Sequence, residues 1–152
     1  MITNHGIDHI NHILNESDGI LDIVICPEDL KESFLYVYSL ATSIGWNTQK
    51  IRDALEMYTK IGVDDEIAGT SLRRVLSVLN DVSTNPKCEK SSILAAYGNI
   101  INEVPPRDHG LGEILDIFNQ YHVKSRDVFY IFGFPAGIDF IDLICARKIG
   151  KI

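Results

Sequence analysis

Apolar residues recur at intervals of three and four along most of the chain, the spacing that gathers them on one face of a helix. One stripe reads Leu30, Phe34, Val37/Tyr38, Ala41 and Ile44. The next reads Ile51, Leu55, Tyr58 and Ile61, and is followed by Leu72, Val75/Leu76, Leu79 and Val82. Further stripes run through Ile93, Tyr97, Ile100/Ile101 and Val104, then through Leu111, Ile114/Leu115, Phe118 and Tyr121. A short helix is predicted over 126–132, and a last one through Ile138, Ile141, Ile144/Cys145 and Ile149. The chain therefore reads as all-α: one compact domain over 1–152, a bundle of about six to eight helices, with a helical-hairpin array as the other arrangement.

The boundaries carry their own chemistry. Pro27, Pro86 and Pro135 fit first-turn positions, where a missing N–H costs nothing. Asn47, Asp64, Asn85, Asp108 and Ser125 are placed to cap helix N-termini. Gly45, Gly62 and Gly133 each close a periodic run, and each is followed by an apolar residue: Trp46, Val63 and Phe134. This is the pattern of a left-handed glycine whose successor folds back onto the last turn. Gly45 to Gly62 and Gly133 to Gly150 have the same length, which suggests two similar helices with glycine stops. The stretch 19–26 is rich in β-branched residues and is compatible with a strand or a helical turn; a lone strand would lack a partner, so helix is preferred.

At 152 residues the chain is long enough to bury roughly 70% of its unfolded surface, so neither disulfide nor metal is needed for folding. Cys26, Cys88 and Cys145 match no zinc spacing, and Cys26 and Cys145 read as small buried hydrophobes. No basic region followed by an apolar run opens the chain, so no signal peptide is expected and a cytoplasmic location is. The apolar stretch 128–146 is interrupted by Pro135, Gly137, Asp139 and Asp142, too often for a membrane span.

The net charge of −7 changes the picture further. Nucleic-acid binders neutralise phosphates with a basic stripe. Here Arg73-Arg74 and Arg147-Lys148 are isolated pairs that read as solvated faces, so no nucleic-acid partner is expected. The acidity is local. Residues 1–32 hold seven acidic side chains, Asp8, Glu16, Asp18, Asp22, Glu28, Asp29 and Glu32, against one base, Lys31. That stretch carries six of the seven net negative charges. Such a field steers association with basic partners, although charge runs also serve solubility and Glu28 and Asp29 would suit a helix N-terminus.

Three constellations are candidate sites. His5, His9 and His12 share one helical face opposite Ile7, Ile10 and Leu14; such a pair at i, i+4 can chelate a metal, but no zinc-protease glutamate follows and a solvated face is the preferred reading. Arg107, Asp108, His109 and Glu113 stand at a loop-to-helix junction with Gly110 and Gly112, where free N–H groups attract anions and glycines let a ligand approach the backbone. His109 and Glu113 could act there as an acid–base pair. Asp139 and Asp142 are neighbours at i, i+3 and read as a solvated face rather than a cation site. No cofactor, bound metal or catalytic residue is expected.

These features point first to a non-enzymatic acidic protein-binding module that masks a basic protein partner, of the immunity or antitoxin inhibitor type, using Asp18, Asp22, Glu28, Asp29 and Glu32. The alternatives are a small-molecule-binding or hydrolytic domain with its site at the Arg107–Glu113 junction, and a structural subunit that self-associates by apolar faces.

Overall fold

The computed structural model describes residues 31–152. The histidines His5, His9 and His12, the stretch 19–26, Cys26, Pro27 and the acids Asp18, Asp22, Glu28 and Asp29 lie outside the described residues. Glu32 falls in the first turn of the first described helix.

Among the described residues there are eight helices and no strand. They are α1 (Lys31–Ile44), α2 (Thr48–Lys60), α3 (Asp65–Thr84), α4 (Glu89–Ala95), α5 (Ile100–Glu103), α6 (Leu111–Gln120), α7 (Ser125–Phe132) and α8 (Ala136–Lys148). None is long and apolar enough to cross a membrane.

The twenty-residue α3 is the axis of the bundle. Ala68, Gly69, Ser71, Leu72, Val75, Leu76, Val78, Leu79 and Val82 are all buried, a face too wide for one neighbour to cover. Helices α1, α2, α4, α5, α7 and α8 all pack against it. A second focus is aromatic. Phe118 of α6, Phe132 of α7 and Phe140 of α8 stack tilted or edge-on, with centroids 4.6–6.1 Å apart, the geometry that ring quadrupoles favour.

The stripes predicted for α1, α2, α3 and α6 are the buried ones: Phe34, Val37 and Ala41; Ile51, Leu55 and Tyr58; Leu72 to Val82; Leu111 to Phe118. The stripe predicted for α8 is out of phase. The buried residues are Ala136, Gly137, Phe140, Leu143 and Ala146. Ile138 is exposed, Ile149 is 77% exposed, and Cys145 is exposed rather than a buried hydrophobe. Helix α8 is apolar on nearly every side, so periodicity alone cannot choose its phase; close packing does.

Two glycines allow close helix crossings, Gly137 in the first turn of α8 and Gly69 within α3. A Cβ on Gly137 would lie 2.9 Å from the Cα of Phe129, so α7 and α8 touch backbone to backbone. A Cβ on Gly69 would lie 2.9 Å from the Cα of Ser33, where α1 crosses α3. Beside that crossing, Ser33 Oγ donates to the Asp65 carboxylate at 2.6 Å.

The helix ends largely follow the glycine signals. At Gly45 (φ 110°) and Gly62 (φ 86°) the next residue's N–H reaches back to the fifth carbonyl before it: Trp46 to Ala41 at 2.9 Å and Val63 to Tyr58 at 3.0 Å. Gly150 ends α8 in the same way, so α2 and α8 are thirteen-residue helices with matching stops. Gly133 does have positive φ, at 76°, but Phe134 does not fold back; it is 76% exposed, and a cis Phe134–Pro135 bond leads into α8. The run from Ile93 to Val104 is two short helices rather than one, divided at Gly98 (φ 100°).

The caps divide similarly. Asn47 Oδ1 accepts from Lys50 N at 2.9 Å, as expected, and Asp64 occupies its N-cap position without a side-chain cap bond. Asn85 instead ends α3, and Cys88 precedes α4. Asp108 stands two residues before the true N-cap, Gly110. Lys124 is the cap of α7, with Ser125 its first residue, and Pro135 is the cap of α8. At α4, α6 and α7 the cap thus lies one to three residues from the capping side chain that the sequence offers.

Three tyrosines join the α4–α5 stretch to the α6–α7 stretch. Tyr97 donates to Asp127 and Tyr121 to Glu103. Tyr130 donates to Glu89 at 2.6 Å.

By intrinsic propensity, alanine for a mid-helix glycine stabilises by about 1 kcal/mol. The two backbone contacts reverse the sign: Gly69→Ala and Gly137→Ala are each expected to lower the unfolding free energy by about 1–3 kcal/mol. Urea titration of the two variants checks this, and a gain in stability at either site would mean that its helix crossing is not tight.

Candidate functional site

The connector before α6 is anchored from below. Trp46, itself buried, donates its indole N–H to the Pro106 carbonyl at 2.5 Å. Pro105 and Pro106 are buried, and Asp108 N closes a turn onto the Pro105 carbonyl at 3.1 Å. The chain then rises through His109 to Gly110, from which α6 starts.

This placement brings together two of the four residues expected at the junction. His109 Nδ1 and Glu113 Oε2 share a hydrogen bond of 2.7 Å. Arg107 and Asp108 pair loosely with each other at 3.6 Å, and their side chains are 67% and 59% exposed. Neither lines the histidine's groove.

That groove has a volume of about 430 Å³ and is lined by Asn102, Glu103, His109, Glu113, Asp116 and Ile117. Three of its six lining residues are carboxylates, and each is already engaged. Glu103 accepts from Tyr121, Glu113 bonds His109, and Asp116 takes a bidentate bond from Arg147 at 2.9 and 3.1 Å. Arg147 thus closes onto α6 from α8 and is not a free solvated base. Its guanidinium holds the Asp116 carboxyl below the usual carboxylate range, and the carboxylate in turn raises the arginine.

Gly112 was expected to admit a ligand. Its open side is instead filled from within: a Cβ there would meet Met57 Cε at 3.1 Å and Arg147 Nη2 at 3.3 Å. Gly110 does face open space.

A second depression, of about 600 Å³, lies between α3, α4 and α7. Arg74, Asp81, Asn85, Cys88, Glu89, Lys90 and Tyr130 line it, and its charges are balanced. Arg74 donates Nε to the Phe132 carbonyl at 3.2 Å, and Arg73 lies 4.9 Å from the centre of the Tyr36 ring, so this pair braces neighbouring helices. Cys88 and Cys145 are free thiols.

The pair Asp139 and Asp142 separates. Asp142 is exposed, whereas Asp139 is half-buried and Oδ2 accepts from the buried Ser71 Oγ at 2.7 Å. Loss of hydration holds the Asp139 carboxyl above the usual range; the Ser71 bond opposes this and the charge of Asp142 adds to it. Tyr58 is close enough to feel that charge. Burial, chiefly, and Asp139 push its hydroxyl far above the ordinary phenol value.

Among the described residues, no group of three or more histidine, cysteine, aspartate or glutamate side chains is arranged to hold a metal ion. Glu103 and Asp116 are groove residues that the sequence reading missed, as it missed Arg147, which holds Asp116. Asp116 lies three residues after Glu113 and was legible as its helical neighbour; Glu103 and Arg147 arrive through the folding of α5 and α8, which no local spacing records.

Asp116→Asn is expected to lower stability at pH 7 by no more than about 1 kcal/mol, since the pair is half-exposed and screened. Because the folded carboxyl is depressed, its contribution is complete above the unfolded value of about 4 and disappears as pH falls through the folded value. Denaturation of both proteins across pH 3–7 checks this; a gap that persists in acid would show that Asp116 acts through packing and not through charge.

No family model, curated protein or solved structure matches the chain.

Proposed function

We propose that this protein is a non-enzymatic binding module that masks a basic protein partner, in the manner of an immunity or antitoxin-type inhibitor. The observation that carries this reading is the placement of charge. Seven acids and one base fall in residues 1–32, while the rest of the chain is within one charge of neutral. The three carboxylates of the α5–α6 groove add acidity of the same sign on the helical body. Their existing partners make them a rim for cationic side chains more than a cage for a bare ion.

Asp18, Asp22, Glu28, Asp29 and Glu32 are the proposed contact residues. With these five changed to Asn or Gln, affinity for a basic protein captured from host lysate is expected to fall at least tenfold, and its salt dependence to flatten, because rim charges act through steering and screened attraction. Titration calorimetry of the captured protein, with wild type and variant at low and high salt, reads both effects. Unchanged affinity and unchanged salt slope would refute the reading.

One observation favours a second function, a small-ligand site: the groove lies directly beside the His109–Glu113 pair. Amide NMR shifts of both residues during a fragment titration, abolished by His109→Ala, would favour it over the inhibitor reading.

A further inference from the structure

Helix α3 is buried on most of its circumference but leaves one strip open. Glu66, Ile67, Thr70, Arg73 and Arg74 are exposed, and their spacing of i, i+1, i+4, i+7 and i+8 places them on one face. Neighbouring elements widen the strip. On one side Tyr36 of α1 is exposed, with the Arg73 guanidinium over its ring at 4.9 Å. On the other side Arg74 donates to the Phe132 carbonyl and lies against Gly133, which leads directly to the exposed Phe134. Ser71, one turn after Ile67, bonds Asp139, so the exposed Ile138 stands at the same edge. The result is an apolar band across α3 with two guanidinium groups at its centre. Both arginines meet neutral partners, a ring and backbone carbonyls, and no ion pair among the described residues uses either. Arg74 also borders the depression that holds Asp81 and Glu89, so Arg73 is the less compensated of the two.

The chain itself contains a segment of matching chemistry. Ile20, Leu21, Ile23, Val24 and Ile25 form an apolar run, with Asp18, Asp22, Glu28 and Asp29 around and within it. The run stands immediately ahead of α1, whose first turn packs on the start of α3, where Ser33 meets Asp65 and Gly69. Only residues 27–30 separate Cys26 from Lys31. Extended, they span about 14 Å, more than the 10–12 Å or so across a helix. The tether therefore reaches the band, and it holds the run there at an effective concentration on the order of millimolar, so that even a weak contact is well populated.

We propose that residues 18–29 dock on this band, the apolar run against Ile67, Phe134 and Ile138 and the acids against Arg73 and Arg74. Apolar surface leaves water on both partners, and opposite charges meet. A second copy fits less well, because a two-fold contact sets the same patch against itself and would bring arginine to arginine. Two arginines engage only part of the seven acids in residues 1–32, so the docking does not rest on the partner reading above. It does constrain that reading: a partner that uses Phe134 or Ile138 must first displace the segment.

The test is hydroxyl-radical footprinting of the purified full chain, read residue by residue by mass spectrometry. It compares wild type with two variants, Ile20→Ser/Ile23→Ser/Val24→Ser and Arg73→Glu. Radical uptake at Phe134 is expected to rise about threefold in both, the change produced when a site covered two-thirds of the time is laid bare. Tyr130 is exposed but bonded to Glu89 of α4, off the band, so its uptake is expected to stay constant. Protection of Phe134 in wild type is expected to survive dilution, because the tether travels with the chain. Equal uptake at Phe134 in wild type and both variants would overturn the docking. Protection that disappears on dilution would overturn it too, and would assign the band to a second copy. If Tyr130 rises with Phe134 in the triple variant, the helical body itself is disturbed, and Arg73→Glu alone decides.

Discussion

Helix α3 must be covered on several sides at once, and the architecture follows from that requirement. Its buried positions fall at nearly every turn-equivalent from Ala68 to Val82, with two or three per turn. A helix with so broad an apolar face is stable in water only when neighbours remove that face from solvent. The neighbours must also approach closely, because a gap of even a fraction of an ångström forfeits much of the dispersion gain. Gly69 permits this for α1 against α3, and Gly137 permits it for α7 against α8. The second contact locks the phase of α8, and through it the position of Asp139 against Ser71 and of Arg147 against Asp116.

Seen from the sequence, the fold was legible wherever a segment was amphipathic. The stripes through Phe34, Ile51, Leu72 and Leu111 separated polar from apolar faces, and their phase was readable. Helix α8 offers Ile138, Ile141, Ile144 and Cys145 on one side and Phe140 and Leu143 on the other, so local pattern could not rank them. The choice came from a glycine whose role is tertiary. Helix ends show the same division. Gly45 and Gly62 announced their turns, while His122 adopts φ 53° and ends α6 by the same backbone bonds without glycine's sequence signature.

The candidate sites divide along similar lines. His109 and Glu113 were legible because they are helical neighbours, and they do meet. Arg107 and Asp108 were grouped with them by adjacency in sequence, but they pair loosely with each other and do not line the groove. The Tyr58–Asp139–Ser71 junction was hidden for a different reason. Tyr58 fits an apolar stripe as a large hydrophobe, and Asp139 beside Asp142 looks like a surface pair. Only the third dimension shows that one carboxylate of the pair has turned inward while the other remains in water.

Charge separates the two scales of the molecule. Within the helical body each groove acid has a partner where it stands: Tyr121 donates to Glu103, His109 bonds Glu113, and Arg147 neutralises Asp116. The Arg147–Asp116 ion pair cancels its own field within a few ångströms, whereas a neutral hydroxyl leaves the charge of Glu103 in place. Residues 1–32 have no such supply of bases in their own sequence: one lysine stands against seven acids. At physiological salt the field decays over about 8 Å, so that excess acts at close range. A basic partner would be guided and oriented by it during the final approach, and apolar contact would have to supply the rest of the affinity. The exposed Phe129, Tyr130, Phe134 and Ile138 show that the body presents apolar side chains of the size that anchor interfaces. The proposed binding role would need both contributions, and in this chain acidic charge and exposed aromatic side chains occupy different stretches of sequence.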